Sequence, residues 1–144
     1  VCLVTGGAGG IGFLMAEELL RRGAHAVVIW DLDKRVVEEA VLRLQQVASE
    51  CKSGCRVAGY ACNVSDVESV KRTAEKVLAE VGDVEILINN AGIVSGKPFL
   101  QLTEDQIRRT FAVNTLAHFW TLRAFLPGMI KRDRGVVVTS ECQR

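Results

Sequence analysis

Residues 1–12 read Val-Cys-Leu-Val-Thr-Gly-Gly-Ala-Gly-Gly-Ile-Gly, an apolar run followed by a loop with five glycines. This order predicts a strand, a phosphate-binding loop and the N-terminus of a helix, because only residues without a Cβ let the backbone turn so tightly and approach a pyrophosphate so closely. Asp31 lies 19 residues beyond Gly12, at the end of a second apolar run over residues 26–30. A carboxylate at this place can accept hydrogen bonds from an adenosine ribose, so the two segments together predict a dinucleotide-binding unit.

The glycines of this loop fit three phosphate-loop motifs at once. Residues 7–12 fit G-x-G-x-x-G, whereas the other two motifs, G-x-x-G-x-x-G and T-G-x-x-x-G-x-G, use Gly6, Gly9 and Gly12 or Thr5, Gly6, Gly10 and Gly12. The loop alone therefore does not decide between families of dinucleotide-binding proteins.

The chain has 144 residues, the length of one domain, and a domain of this size buries about 68–70% of the surface of its unfolded chain. Its 18 basic and 17 acidic residues give a formal net charge of +1 and are spread along the chain. This balance leaves no basic patch of the kind that binds nucleic acid, so we expect no nucleic-acid partner.

The five cysteines are an odd number, and at least two stand in apolar strand-like runs, where a reduced thiol acts as a small hydrophobic side chain. This usage favours a reducing, intracellular compartment. Cys51 and Cys55 have a spacing that can bind a metal, but the two histidines, His25 and His118, have no ligand spacing to them. We therefore predict no metal site.

Neither end of the chain shows a targeting or spanning segment, since it has no run of about 18 apolar residues and no basic-then-apolar leader. Val1 already falls within the first predicted strand, and the chain stops five residues after the last one, at 135–139. We expect residues 1–144 to form one dinucleotide-binding domain that is incomplete at its C-terminus.

Apolar runs and helical periods alternate between these ends. Strands are predicted from residue 1, at 26–31, 56–62 and 84–89, and from residue 136, and helices at about 11–22, 33–50, 67–81 and 103–131. Short apolar strands separated by helices of this length are typical of a parallel sheet with helices on both faces and right-handed crossovers. The predicted fold is a Rossmann-type doubly wound α/β domain.

Three details of the helices are also predicted. The first helix should bury one apolar face, made of Ile11, Leu14, Met15 and Leu19. Capping boxes should open the third helix over Ser65–Glu68 and the last helix over Thr103–Gln106. The last helix should kink near Pro127, and because it is apolar nearly all round from residue 111 to 130, it should be covered on most sides.

A resemblance to a known family appears at Ile88-Asn-Asn-Ala-Gly92. Together with the Thr5–Gly12 loop, Asn63-Val64 and Val113-Asn-Thr115, this segment resembles the short-chain dehydrogenase/reductase family in its simple, non-extended branch. The Asn-Asn-Ala-Gly strand end also selects T-G-x-x-x-G-x-G among the three loop motifs. Within the family, residues 94–97, 114–121 and 124–127 are similar to the retinol dehydrogenase group.

The resemblance implies an NAD(H)-dependent oxidoreductase that interconverts an alcohol and a carbonyl on a hydrophobic, retinoid- or steroid-like substrate. In such a protein the pyrophosphate lies on Thr5, Gly6, Gly10, Ile11 and Gly12, the adenosine ribose on Asp31, and the adenine on Asn63 and Val64, although the family often has Asp where this chain has Asn63. The central cleft is lined by Asn90, Ala91 and Gly92.

Asn114 matches the helix asparagine that in this family supports a catalytic lysine through a water. An amide inside an apolar helix also needs a hydrogen-bonding partner in any fold. Asn89 and Asn90 also have an interpretation outside cofactor binding, as polar side chains that tie down neighbouring backbone at a turn. His118, one helical turn beyond Asn114, is interpreted as a packing or capping residue.

The rest of the family's machinery does not match. The family pairs a tyrosine with a lysine four residues on, but Tyr60 is the only tyrosine, lies in a predicted strand and is followed at that distance by Val64. The family's serine falls at Cys142. We therefore expect residues 1–144 alone not to turn over substrate, and a catalytically inactive dinucleotide-binding or interaction module, as in a truncated isoform, remains the alternative. A methyltransferase is disfavoured by Asn-Asn-Ala-Gly.

NAD is expected to bind better than NADP, because Asp31 would repel a 2′-phosphate and neither Gly9 nor Leu32 supplies a basic side chain; Lys34 and Arg35 reduce this preference. The resemblance further implies a homo-oligomer of the completed protein, formed through the helix that carries Asn114. It is compatible with membrane association through a segment preceding residue 1, and with a place on the cytoplasmic face of the endoplasmic reticulum or on lipid droplets.

Overall fold

The structure is a computed structural model, and it describes residues 1–51 and 54–140. Strands and helices alternate as predicted. The strands are β1 (Cys2–Thr5), β2 (Ala26–Asp31), β3 (Arg56–Ala61), β4 (Ile86–Asn89) and β5 (Val136–Thr139). The helices are α1 (Gly10–Arg21), α2 (Lys34–Glu50), α3 (Val67–Glu80), α4 (Glu104–Phe111) and α5 (Ala117–Lys131), with a 3₁₀ turn at Phe99–Gln101 and a π-helical turn at Ala112–Leu116.

The strands of the described residues form one parallel sheet in the order β3-β2-β1-β4-β5. Cys2 at the start of β1 stands opposite Val27 of β2 on one side and Ile86 of β4 on the other. The chain moves outward from β1 to β3 and then returns to the opposite side of β1 with β4. This reversal leaves a crevice at the carboxyl ends of β1 and β4, which is where open α/β sheets bind ligands.

Helices cover both faces of the sheet, which confirms the predicted doubly wound architecture. Alternate residues of each strand point to opposite faces, so Val4 packs toward α1 and α2 while Leu3 packs toward α3 and α5. The rings of Trp30 and Phe125 lie 5.7 Å apart in the second layer. Because β1 and β2 are covered on both sides, they are apolar at nearly every position.

The predicted buried face of α1 was wrong in part. Ile11 and Leu14 are 65% and 62% exposed, whereas Phe13, Ala16 and Leu20 form the buried face; Met15 and Leu19 pack only partly against the core. The reason is the contact of α1 with the loop before it, since a Cβ on Gly12 would collide with the carbonyl oxygen of Gly6. This close approach turns the side of the helix that carries residues 12, 16 and 20 toward the sheet.

The capping box predicted over Ser65–Glu68 was wrong, and the one over Thr103–Gln106 is confirmed. Asp66 caps α3, and its Oδ1 accepts a hydrogen bond from the Glu68 amide at 3.0 Å. Ser65 is held instead by Asn63, whose Oδ1 accepts from its amide and hydroxyl at 3.2 and 2.7 Å. Because Ser65 belongs to this turn, the N-cap of α3 is the next residue, Asp66.

The helix predicted over 103–131 is not one continuous α-helix. The π-helical turn separates α4 from α5, and Pro127 lies inside α5. The described residues themselves do not cover this segment, since Phe111, Phe119 and Ile130 are 61%, 58% and 69% exposed, so the cover expected on most of its sides stays a prediction. In the described residues only one face of α5 is buried, because the sheet covers it from one side.

Among the described helices, none combines the length and the apolar character that crossing a membrane requires.

Candidate functional site

A cleft opens above the carboxyl ends of β1 and β4. Its first lobe has a volume of about 580 Å³ and is lined mainly by Gly6, Gly9, Gly12, Asp31, Leu32, Cys62, Asn63, Val64, Ser65, Ile93, Arg109 and Val113. Its second lobe has a volume of about 420 Å³ and is lined by Asn114, Thr115, His118 and Ser140. Both lobes share Ile11, Asn90, Ala91 and Gly92, so they form one continuous depression.

The glycine loop leaves the N-terminus of α1 open to this cleft. Gly6 and Gly10 have φ angles of 63° and 52°, in the left-handed region that favours glycine. A Cβ on Gly9 or Gly10 would meet no atom within 4 Å. Gly9 caps the helix without a side-chain hydrogen bond, so the first-turn amides of α1 keep no side-chain partner. Free amides and the positive end of the helix dipole suit an anion such as a phosphate.

Thr5 and Asn90 lock the end of β4 to the start of the glycine loop. The Thr5 Oγ1 accepts hydrogen bonds from the amides of Asn90 and Ala91 at 3.0 and 3.1 Å. In return, the Asn90 Nδ2 donates to the carbonyl oxygens of Thr5 and Gly6 at 3.0 and 3.2 Å. These side chains join segments 85 residues apart and so fasten the two walls of the cleft to each other.

Asp31 connects the glycine loop to the end of β2. Its Oδ2 accepts from the Ala8 amide at 3.2 Å and its Oδ1 from the Leu32 amide at 2.8 Å. The carboxylate lines the first lobe. Each oxygen has a second lone pair for a ligand hydroxyl, so the position is compatible with the predicted ribose contact.

Asn63 and Val64 form another wall of the first lobe. The backbone amide of Asn63 donates to the Ser69 hydroxyl at 3.1 Å. The side-chain oxygen of Asn63 accepts the two hydrogen bonds from Ser65 that are described above. Val64 is buried. The Asn63 side chain therefore shapes this wall through its turn, and an asparagine oxygen serves here in place of a carboxylate.

Asn114 lies within the π-helical turn and faces the loop after β4. Its Oδ1 accepts from the Ile93 amide, and its Nδ2 donates to the Ile93 carbonyl oxygen, both at 2.9 Å. The partner that an amide in an apolar helix requires is thus the backbone of one residue. Single π-helical turns are frequent at functional sites, and this one aims a side-chain amide at the junction between the two lobes.

Asn89 does not line the cleft. It is 1% exposed, and its Oδ1 accepts from the Thr121 hydroxyl at 2.8 Å, which joins β4 to α5. Its Nδ2 has no hydrogen-bonding partner among the residues that the structure describes. The residue ties β4 to a packed helix, not to the backbone of its own turn.

Tyr60 is remote from the cleft, in agreement with its exclusion on sequence grounds. Its hydroxyl donates to Glu80 Oε2 at 2.8 Å, outside both lobes. Burial and the Glu80 carboxylate raise the pKa of Tyr60 to about 12. A proton-exchanging tyrosine needs a lowered pKa, so this environment acts in the opposite direction. Cys142, predicted to take the place of the family's serine, lies outside the described residues.

Seven residues that line the first lobe were not assigned to the site from the sequence: Gly9, Leu32, Cys62, Ser65, Ile93, Arg109 and Val113. Two of them, Arg109 on α4 and Val113 in the π-helical turn, are four residues apart, so helical spacing counted back from Val113 of the Val113-Asn-Thr115 motif offers a signal for Arg109. His118, predicted only to pack or cap, also stands on the wall of the second lobe.

The sequence model of the family described as short chain dehydrogenase matches residues 1–142. Curated relatives include retinol dehydrogenase 10-B of Danio rerio, 41% identical over 153 residues, and epidermal retinol dehydrogenase 2 of Homo sapiens, 43% identical over 138 residues. Estradiol 17-beta-dehydrogenase 11 of Macaca fascicularis is 42% identical over 140 residues. Each match covers 96% of this chain but only 45%, 43% and 44% of the relative, respectively, so the chain spans less than half of their length.

Solved structures show the same fold. An NAD⁺-bound xylitol dehydrogenase matches with a TM-score of 0.84 and 28% identity, over 96% of this chain and 51% of that one. A metagenomic short-chain oxidoreductase in complex with NADP matches with a TM-score of 0.86 and 29% identity, over 99% of this chain and 62% of that one. Since the family model covers nearly all 144 residues, the chain belongs to the short-chain dehydrogenase family.

Proposed function

We propose that the protein is an NAD(H)-dependent oxidoreductase that interconverts an alcohol and a carbonyl, and that this chain forms its cofactor-binding part. The observation that carries the proposal is the open glycine loop at the N-terminus of α1, locked by Thr5 and Asn90 to the end of β4. A glycine loop without side chains, beside free helix amides, suits a diphosphate. The loop lies where the strand order of the sheet reverses, which suits a dinucleotide.

Open space above the glycine loop supports the proposed dinucleotide site. The space above Gly9 and Gly10 is free of protein atoms, so the backbone is accessible to a ligand phosphate. In the proposed arrangement Thr5, Gly6, Gly10, Ile11 and Gly12 hold the pyrophosphate, Asp31 the ribose, Asn63 and Val64 the adenine, and Asn90, Ala91 and Gly92 the second half. All of these residues except Gly10 and the buried Thr5 line the cleft. A nicotinamide bound there supplies the hydride acceptor or donor.

Asn114 acts in this proposal by positioning. Its two bonds to Ile93 hold the backbone between the lobes, and its helix forms a wall of the second lobe, where the reacting groups meet. Proton exchange with the substrate requires a group other than Tyr60, whose hydroxyl is engaged by Glu80. We place that group outside these 144 residues, so this chain alone is expected to bind cofactor without turning over substrate.

The proposed preference is for NAD over NADP. A 2′-phosphate in the first lobe would meet the Asp31 carboxylate, which is held there by two backbone amides. Lys34 lies within 3.7 Å of Glu38 and does not line the lobe, so it offsets little of this repulsion.

The proposed substrate is a hydrophobic alcohol or carbonyl of the retinoid or steroid class. Its support is the names of the relatives, which are retinol and estradiol dehydrogenases. The alternative of an inactive binding module gains nothing from these relatives, since all three are named as dehydrogenases.

Self-association is also proposed for the exposed apolar side of the helix that carries Asn114. Phe111, Phe119 and Ile130 are all more than half exposed, and an uncovered apolar surface of this kind favours association. Residues 1–144 expressed alone should be oligomeric or poorly soluble in light-scattering measurements. A well-behaved monomer would contradict this.

The activity is tested by following NADH absorbance with retinoids, steroids and short alcohols, using the protein extended to the length of its relatives and the 144-residue chain. We expect turnover by the extended protein only, with hydrophobic substrates preferred. Turnover by the chain alone, or NAD binding by the extended protein without activity on any compound, would refute the enzyme proposal.

A further inference from the structure

One cationic side chain lines the candidate cofactor cleft, and no motif predicts it. Arg109, on α4, stands on the wall of the first lobe. No other lysine or arginine in the part of the chain that the structure describes lines either lobe. The charged side chains of the first lobe are therefore one carboxylate, Asp31, and one guanidinium. The inference drawn from this pair rests on the proposed function.

The helix places Arg109 at the same end of the cleft as Asp31. Along the chain, the first lobe is lined by Arg109 and Val113, and the second lobe by residues that follow: Asn114, Thr115 and His118. The helix thus runs along the cleft from the first lobe to the second. Asp31 and Arg109 each line the first lobe and not the second, so both charges border the lobe in which the proposed arrangement puts the adenosine.

Nothing in the described residues uses the charge of Arg109. Asp105 precedes it by four residues, a spacing suited to an ion pair, yet the structure shows no ion pair or side-chain hydrogen bond for Arg109 in those residues. Arg109 does not cap the C-terminus of α4 either, because α4 continues into the π-helical turn. The Ala112 amide already donates to the carbonyl oxygens of residues 108 and 109. An unpaired cation on a cleft wall raises the local concentration of anionic ligands.

We infer that Arg109 is a cofactor-binding cation that opposes Asp31 at the adenosine end and narrows the preference of the protein for NAD over NADP. NAD has two hydroxyls on its adenosine ribose, whereas NADP carries a phosphate on one of them. The attraction of a guanidinium grows with the charge of its partner, so Arg109 stabilises bound NADP more than bound NAD. The net preference is the difference between this attraction and the repulsion from Asp31.

The test compares Arg109→Gln with Arg108→Gln, which removes the same charge from the neighbouring exposed residue that lines neither lobe. Dissociation constants of NAD⁺ and NADP⁺ are measured by titration calorimetry at low ionic strength. For Arg109→Gln we expect binding to weaken about threefold for NAD⁺ and about tenfold for NADP⁺, since partly exposed charges interact weakly and the 2′-phosphate adds charge. Arg108→Gln should leave the ratio of the two constants unchanged.

Two further measurements decide the outcome. Arg109→Lys should keep most of the wild-type ratio, and the effect of Arg109→Gln should shrink at high salt, because exposed charges are screened. The inference is overturned if Arg109→Gln leaves the ratio unchanged, matches Arg108→Gln, or is matched by Arg109→Lys. If the wild-type protein binds neither nucleotide, the proposed function itself fails, which is a different result from an unchanged ratio.

Discussion

The two lobes of the cleft are built by opposite means. The first lobe depends on missing side chains, since its floor is a glycine loop in which Gly12 packs against the Gly6 carbonyl and Gly9 stays open. The second lobe depends on a side chain that is present, the Asn114 amide, which binds both backbone groups of Ile93. The candidate cofactor cleft is therefore held by tight backbone approach at one end and by a single amide at the other.

Gly12→Ala should have the largest effect on the first lobe. The added Cβ collides with the Gly6 carbonyl and the Asn90 side chain, and forcing it in should lower the free energy of unfolding by about 3 kcal/mol, as overpacked cores do. Chemical denaturation and an NAD titration measure the two losses. Gly9→Ala is the matched control: its Cβ meets no protein atom, so stability should hold while NAD binding weakens. Equal stability of both variants would show that the loop is not tightly packed.

Asn114→Ala should have the next largest effect and should act on the second lobe. It leaves the amide and carbonyl of Ile93 unpaired, which should cost about 2 kcal/mol of stability. In the extended protein, turnover should fall much more than NAD affinity, because Asn114 itself lines only the second lobe and reaches the first lobe only through Ile93. Asn114→Asp keeps the acceptor for the Ile93 amide and should lose less. A large loss of NAD affinity without loss of turnover would contradict the assignment of Asn114 to the second lobe.

Asp31→Ala should sharpen the comparison by changing the first lobe alone. Removing the carboxylate should narrow the gap between NAD and NADP binding by about 1 kcal/mol, because the repulsion of a 2′-phosphate disappears together with one ribose contact. Parallel titrations with both nucleotides measure the change. Tighter binding of NADP than of NAD by the unmodified protein would contradict the proposed preference.

Tyr60→Phe should have the smallest effect and touch neither lobe. The loss of its hydrogen bond to Glu80 should cost about 0.5 kcal/mol near pH 7, and NAD affinity should not change. Because the folded-state pKa is raised to about 12, the phenol favours the folded state fully below pH 10, and this contribution disappears as the pH rises through 12. Denaturation between pH 9 and 12 should show a smaller loss of stability for the variant than for the wild type. If stability falls equally with pH in the variant and the wild type, the Tyr60 phenol is not the source of the pH dependence.

Several parts of the fold follow from local patterns. The strands and helices, the capping box at Thr103 and the helices on both faces were predicted because alternation of apolar runs is a property of neighbouring residues. The buried face of α1 was not predicted correctly, because Ile11 and Leu14 are as apolar as the residues that the helix buries. Which side of an apolar helix faces the sheet is decided by contact with another segment, here between Gly12 and Gly6.

For the candidate site, the sequence by itself determined where the glycine loop, the acidic side chain at the end of β2 and the Asn-Asn-Ala-Gly turn lie, because each is a short motif with particular residue types. Only the tertiary structure decided that Asn90 braces the loop, that Asn89 bonds Thr121 instead of lining the cleft, and that Arg109 shares the first lobe with Asp31. These relations join residues 32 to 85 positions apart along the chain, or a helix wall to a distant strand end. Such distances are set by packing of the whole sheet, which no local pattern contains.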